Sequence, residues 1–147
     1  MFDVRIYAPV FLSNHFHILA AACTQAELSR FKCFIMSNIA REAGRLHGWT
    51  GPFWDRRCRT ISITDDAALL DRLRYILEHG CKEGLVHHPS QWEGVQAVSA
   101  LVEGLPLEGF WVNRTAMYEA AKRVSAHIRE EDFTTHLQLE LDVLLCD

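Results

Sequence analysis

Two strand-like runs separated by two turn residues constrain the fold of this chain more than any other stretch. "VRIYAPVFLSN" and "HFHILAAAC" are rich in β-branched, aromatic and small apolar residues, and the Ser13-Asn14 turn joins them. A bend is expected near Pro9 in the first run. The period then changes. "TQAELSRFKCFIMSNIAREAGRLHG" opens with a capping box, Thr24 and Glu27, and closes at Gly48. Between them Leu28, Phe31, Ile35, Ile39 and Leu46 recur at helical spacing.

Further on, "PFWDRRCRTISI" reads as a third strand, β-prone at its ends and basic in the middle. "TDDAALLDRLRYILEHG" is a second helix, with Thr64 as N-cap, Asp65 and Asp66 at the positive helix end, and Gly80 as the stop. A Pro/Ser turn and "WEGVQAVSALVEG" precede a polar helix from about Thr115 to Glu130, and the alternating tail "HLQLELDVLL" reads as a strand. There is no repeat, low-complexity tract or interdomain linker. This mixture predicts an α+β sandwich, a small antiparallel sheet with helices over one face.

Composition narrows the class. At 147 residues, 49% apolar and 23% charged, the chain reads as an ordinary globular domain. No apolar run approaches the roughly 18 residues of a membrane helix, and no signal-peptide pattern opens the chain. Five cysteines without a C-x-x-C pair argue for reduced thiols in a cytoplasmic protein, not a disulfide scaffold. The net charge of −4 is uneven: residues 1–60 hold eight Lys/Arg against four Asp/Glu, and residues 61–147 hold seven against fifteen. A basic front half permits a phosphate-binding face.

Four residues carry candidate chemistry. In a strand, His15 and His17 project to one face while Phe16 and Ile18 point the other way. Two imidazoles so placed are half of a metal site, or two polar residues on a wet face. On the second helix Leu69, Leu70, Leu73, Ile76 and Leu77 form one arc, the expected buried stripe. Tyr75 and His79 stand four apart, hence adjacent, and roughly opposite that stripe.

These pieces in this order resemble the single-tyrosine HUH transposases, in particular their REP-associated branch. "FLSNHFHIL" resembles the HUH motif (His, bulky hydrophobic, His), which in that branch follows a strand and an Asn. "GPFWDRRCRTISI" resembles the basic strand after the first post-motif helix, and "LRYILEHGCKEGLVHHPSQW" the nucleophile helix. The likeness runs from about Val4 to Trp92. It departs at His79-Gly80, where the family has Asn-Pro. Family members also begin with a further strand and helix. Here the chain starts almost at the HUH pair, so either the start is shortened or the sheet is completed by the tail strand or a second subunit.

The resemblance implies a ferredoxin-like HUH-type sandwich over residues 1–112, with residues 113–147 as a C-terminal helix and strand extension. It implies a transposase-like endonuclease and strand transferase acting on single-stranded or hairpin DNA, as a monomer or homodimer. Tyr75 would be the nucleophile that forms a 5′-phosphotyrosine, since a phenol at neutral pH needs help to attack phosphorus. His15, His17 and His79 would hold Mg²⁺ or Mn²⁺, and three imidazoles favour Mn²⁺. Arg56, Arg57 and Arg59 would grip phosphate, with Trp54 a stacking platform for an unpaired base. Strand alternation would put Arg57 and Arg59 on one face and Arg56 with Trp54 on the other.

Plainer readings compete. The arginines suit a solvated edge strand, His79 suits a helix C-terminus, and Trp49, Trp92 and Trp111 suit packing. Tyr118 lies on an acidic helix with no histidine at the matching offset. Two other functional classes stand beside the transferase: a shortened or domesticated relative that binds DNA hairpins without cutting, and an unrelated metal-dependent hydrolase using water as the nucleophile.

Overall fold

The computed structural model describes residues 2–123 and 128–144. The β-prone runs at the start form the expected hairpin. β1 (Val4–Phe11) pairs antiparallel with β2 (Phe16–Ala22), from Val4 opposite Ala22 to Phe11 opposite Phe16. The Leu12 amide donates to the His15 carbonyl at 2.8 Å and closes the turn. The register slips between Ile6 and Ala8, so the irregularity sits at Tyr7, while Pro9 keeps its partner Ile18.

α1 (Gln25–His47) begins and ends where the sequence predicts. Thr24 accepts the Glu27 amide at 3.1 Å, and Gly48 takes the left-handed φ of 60° that ends the helix. α2 (Asp66–Leu77) starts one residue later than expected. Asp65, not Thr64, is its N-cap, extended in backbone and accepting the Ala68 amide at 2.8 Å. Gly80 is not a stop either. α2 gives way at Glu78 (φ −87°, ψ 2°) to a single turn, α3 (His79–Lys82), and Gly80 lies buried inside it. A Cβ at Gly80 would stand 3.2 Å from Val86 Cγ2 and 3.8 Å from Trp92 Cβ, so this turn packs on the following loop with no room to spare.

The remaining elements are a 3₁₀ turn (Pro89–Gln91), α4 (Val98–Glu103), β3 (Leu107–Val112), α5 (Arg114–Arg123), a second 3₁₀ turn (Glu130–Phe133) and β4 (Thr134–Leu139). The polar helix expected to reach Glu130 therefore appears as α5. Residues 124–127 lie outside the described residues, and Ile128 and Arg129 are not helical. β3 and β4 pair antiparallel, from Leu107 opposite Leu139 to Val112 opposite Thr134, joining segments on either side of residue 112. The fold is thus α+β, with two small antiparallel sheets and five α-helices among the described residues. Arg114 ties α5 to α1, its Nε donating to both Glu42 carboxylate oxygens at 2.9 and 3.0 Å, and it reaches Glu130 at 3.0 Å. That guanidinium holds the Glu42 carboxyl below its usual range.

Residues 52–63 form no strand. A strand needs a neighbour for its backbone groups, and the outer edge of β2 is separated from this segment by an open cleft. The tail strand does not extend the first sheet; it pairs with β3. One tail residue does reach β1: the Asp142 amide donates to the Ile6 carbonyl at 2.8 Å, and its Oδ2 accepts the Ile6 amide at 3.0 Å. The other end of that edge is held by Val95, whose carbonyl accepts the Phe11 amide at 2.8 Å.

The core lies where α2 crosses the hairpin. Ala8, Val10 and Leu19 bury against Ile76 and Ala97, with Leu69, Leu73 and Leu77 packed around them. Leu70, expected in the stripe, is 56% exposed. Leu46, Trp49 and Trp111 are also exposed, whereas Trp92 is half-buried and donates its indole N–H to the Phe11 carbonyl at 2.9 Å. No helix among the described residues is long and apolar enough to cross a membrane.

Candidate metal centre

The hairpin and the α2–α3 junction bring three histidines together. His15 leaves the turn and His17 follows on β2, two residues along and therefore on the same face. His79 opens α3 and is 1% exposed. One ring nitrogen from each lies within 4.8 Å of the others. The rings meet edge to face, with centroids 4.5 Å apart for His17 and His79 and 4.9 Å for His15 and His79.

The protons define what this cluster can hold. His15 Nδ1 stands 2.6 Å from Asn14 Oδ1, which only accepts, so Nδ1 carries the hydrogen and Nε2 the lone pair. That lone pair faces His79 Nε2 at 2.6 Å. His79 Nδ1 is buried without a partner, so all the polar contact of this imidazole passes through Nε2. A divalent cation fits the donor set: neutral imidazoles converging from two elements, one already oriented by an outer amide.

Burial favours the neutral form of His17 and of His79. Burial lowers the pKa of His17, helped by the charges of His79 and His15, while Glu83 opposes. Burial likewise lowers that of His79, with His15 and Lys82 adding and Glu83 opposing. Deprotonated imidazole is the form that binds a metal.

Tyr75 adjoins this cluster. Its ring centroid is 4.8 Å from that of His79 and 5.5 Å from that of His17. It is half-buried and packs beside the core, with Lys82 Nζ 4.8 Å from the ring centre.

Comparison with family models, curated proteins and solved structures gave no match.

A cleft of about 990 Å³ runs from His17 and Tyr75 along the outer edge of β2, between α1 and residues 58–66. Arg5, Lys32, Arg59 and Arg72 line it together with Asp65 and Asp66, and none of the four cations forms an ion pair among the described residues. Of the three arginines singled out by sequence, only Arg59 belongs to this cleft. Arg56 is exposed and paired with Asp55 at 3.2 Å, and Arg57 is exposed. Trp54 lies outside it, half-buried, donating its indole N–H to the Met36 carbonyl at 3.0 Å and packing edge-on to Phe16. Arg5, Lys32 and Arg72 come from three separate elements, so no local motif could have grouped them.

Arg59→Ala is accordingly expected to weaken binding of a single-stranded oligonucleotide and to lower the salt slope by about 0.7. Arg56→Ala should change neither. Fluorescence anisotropy over a salt series measures both quantities, and equal effects from the two variants would remove the cleft as the binding track.

Proposed function

We propose that this protein is a transposase-like single-stranded DNA endonuclease and strand transferase that works through a tyrosine. The observation that carries the reading is the placement of Tyr75 beside two of three metal-competent histidines, His17 and His79, where it and His17 line a cleft with four cations against two aspartates. Each part answers a requirement of phosphodiester cleavage. A polyanionic strand needs unpaired cations along its path. The scissile phosphate needs its charge reduced, and a divalent ion held by His15, His17 and His79 would supply that as a Lewis acid. The phenol needs a fixed position, and packing against the hairpin core gives Tyr75 one.

Tyr75 Oη attacks phosphorus, the bond to the 3′ oxygen breaks, and a 5′-phosphotyrosine forms. The phenolic proton passes to water, and the departing 3′ oxygen regains one. Because the phosphodiester is exchanged rather than hydrolysed, a second strand's 3′ hydroxyl can reverse the step and be joined. His15, His17 and His79 would hold Mn²⁺ in preference to Mg²⁺, given their nitrogen donors. A ferredoxin-like HUH arrangement is the frame this reading implies for the hairpin and its helices.

A second reading, a non-cleaving binder of hairpin DNA, draws on one observation: Tyr75 is half-buried under Lys82, as a packing tyrosine would be. A covalent adduct separates the two. With hairpin-bearing single-stranded DNA and Mn²⁺, the protein is expected to give a complex that survives denaturation, lost in Tyr75→Phe and kept in Tyr118→Phe. An adduct persisting in Tyr75→Phe would overturn the assignment, and no adduct in the wild type would favour the binder.

A further inference from the structure

We infer that Glu83 is a fourth protein ligand to the cation held by His15, His17 and His79, so that the site offers one carboxylate beside three imidazoles. The inference rests on the metal-binding reading of that cluster and adds a residue to it. Glu83 follows His79 by four positions, and its Oε1 lies 4.0 Å from His79 Nε2, the atom that also faces His15 Nε2 at 2.6 Å. Two ligand atoms each about 2.1 Å from one ion stand roughly 3 Å apart in cis and 4.2 Å apart in trans, so this spacing falls within the range a shared ion allows.

The groups around Nε2 are otherwise acceptors. His15 presents a lone pair, fixed by the Asn14 contact, and Glu83 presents a carboxylate. In the absence of an ion the His79 Nε2 proton can serve these acceptors, and a cation bound there would take its place. Glu83 also has no competing partner: neighbouring Lys82 turns to Glu78 at 3.4 Å, and no Lys or Arg pairs with Glu83 among the described residues. With 48% of its side chain exposed, the carboxylate is free to swing the remaining distance.

A carboxylate changes what the site selects. Three imidazoles alone suit softer ions, and an anionic oxygen moves the preference toward harder ones such as Mn²⁺.

Calorimetric titration with MnCl₂ and with ZnCl₂, without DNA, tests the assignment on the full chain. Glu83→Gln should raise the Mn²⁺ Kd by about tenfold or more, with a smaller change for Zn²⁺. Glu78→Gln, a lost charge at the same helix junction, should match the wild type, and His15→Ala should bind neither ion measurably. If Glu83→Gln titrates like the wild type while His15→Ala has lost binding, Glu83 is no ligand and the histidine site stands. Equal weakening in Glu78→Gln and Glu83→Gln would reduce the effect to net charge and also overturn the proposal. Should His15→Ala bind like the wild type, the histidine site itself falls.

Discussion

The His15→Ala, His17→Ala double variant is expected to bind no Mn²⁺ at concentrations that saturate the wild type and to form no DNA adduct. Two of the three imidazole ligands are then gone, and His79 with the half-exposed Glu83 carboxylate is too few donors to hold the ion. Because both replaced side chains are partly exposed, the hairpin should keep its pairing. DNA binding should persist, since the cations of the cleft are untouched. His79→Asn asks a narrower question. It exchanges a nitrogen donor for an amide oxygen, so cleavage should survive and Mg²⁺ should become a better activator relative to Mn²⁺. Mn²⁺ binding like that of the wild type in the double variant would return both histidines to the role of polar residues on a wet strand.

Ile76→Ala should cost about 2–5 kcal/mol of folding stability, the range for truncating a buried aliphatic side chain. The expectation is large because the core is small. Ile76 is the one buried residue α2 contributes to the cluster that holds Ala8, Val10, Leu19 and Ala97. A loss of that size is a major fraction of the stability of a typical domain. Ile76→Val should cost only about 0.5–1.5 kcal/mol. Urea melts followed by circular dichroism measure both. A change under about 1 kcal/mol in Ile76→Ala would mean that α2 does not rest on the hairpin there, and that Tyr75 is positioned by something else.

Where the sequence spoke clearly, local chemistry determines local structure. Thr24 and Gly48 bracket α1 because each satisfies or relieves a helix end by itself. The His15-x-His17 pair and the Tyr75-to-His79 step were legible for the same reason, as two periodicities of the backbone. The failures are non-local. Residues 52–63 carry the composition of a strand, yet strand formation depends on a partner edge that composition cannot reveal. Thr64 and Asp65 are both competent caps, and the choice between them depends on where the preceding chain allows the first turn to begin. Leu70 fits the helical arc, but the hairpin covers a narrower stripe than the arc presents. Glu83 repeats the four-residue step from His79 and was visible in principle. The cations of the cleft were not, because they meet only after folding.

The tight packing at Gly80 makes positions 79 and 80 a coupled pair for any engineer. His79→Asn alone changes a donor atom and leaves the backbone as it is. Adding Gly80→Pro, to write Asn-Pro as in the single-tyrosine enzymes, does much more. Proline disfavours helical backbone in the residue before it, and His79 is the first helical residue of α3. The ring would also press toward Val86, which a single Cβ already approaches to 3.2 Å. The two-residue swap would therefore redirect the ligand it was meant to restore. The order of substitution matters: room at Val86 and a different entry into the turn have to come first, and proline only after them.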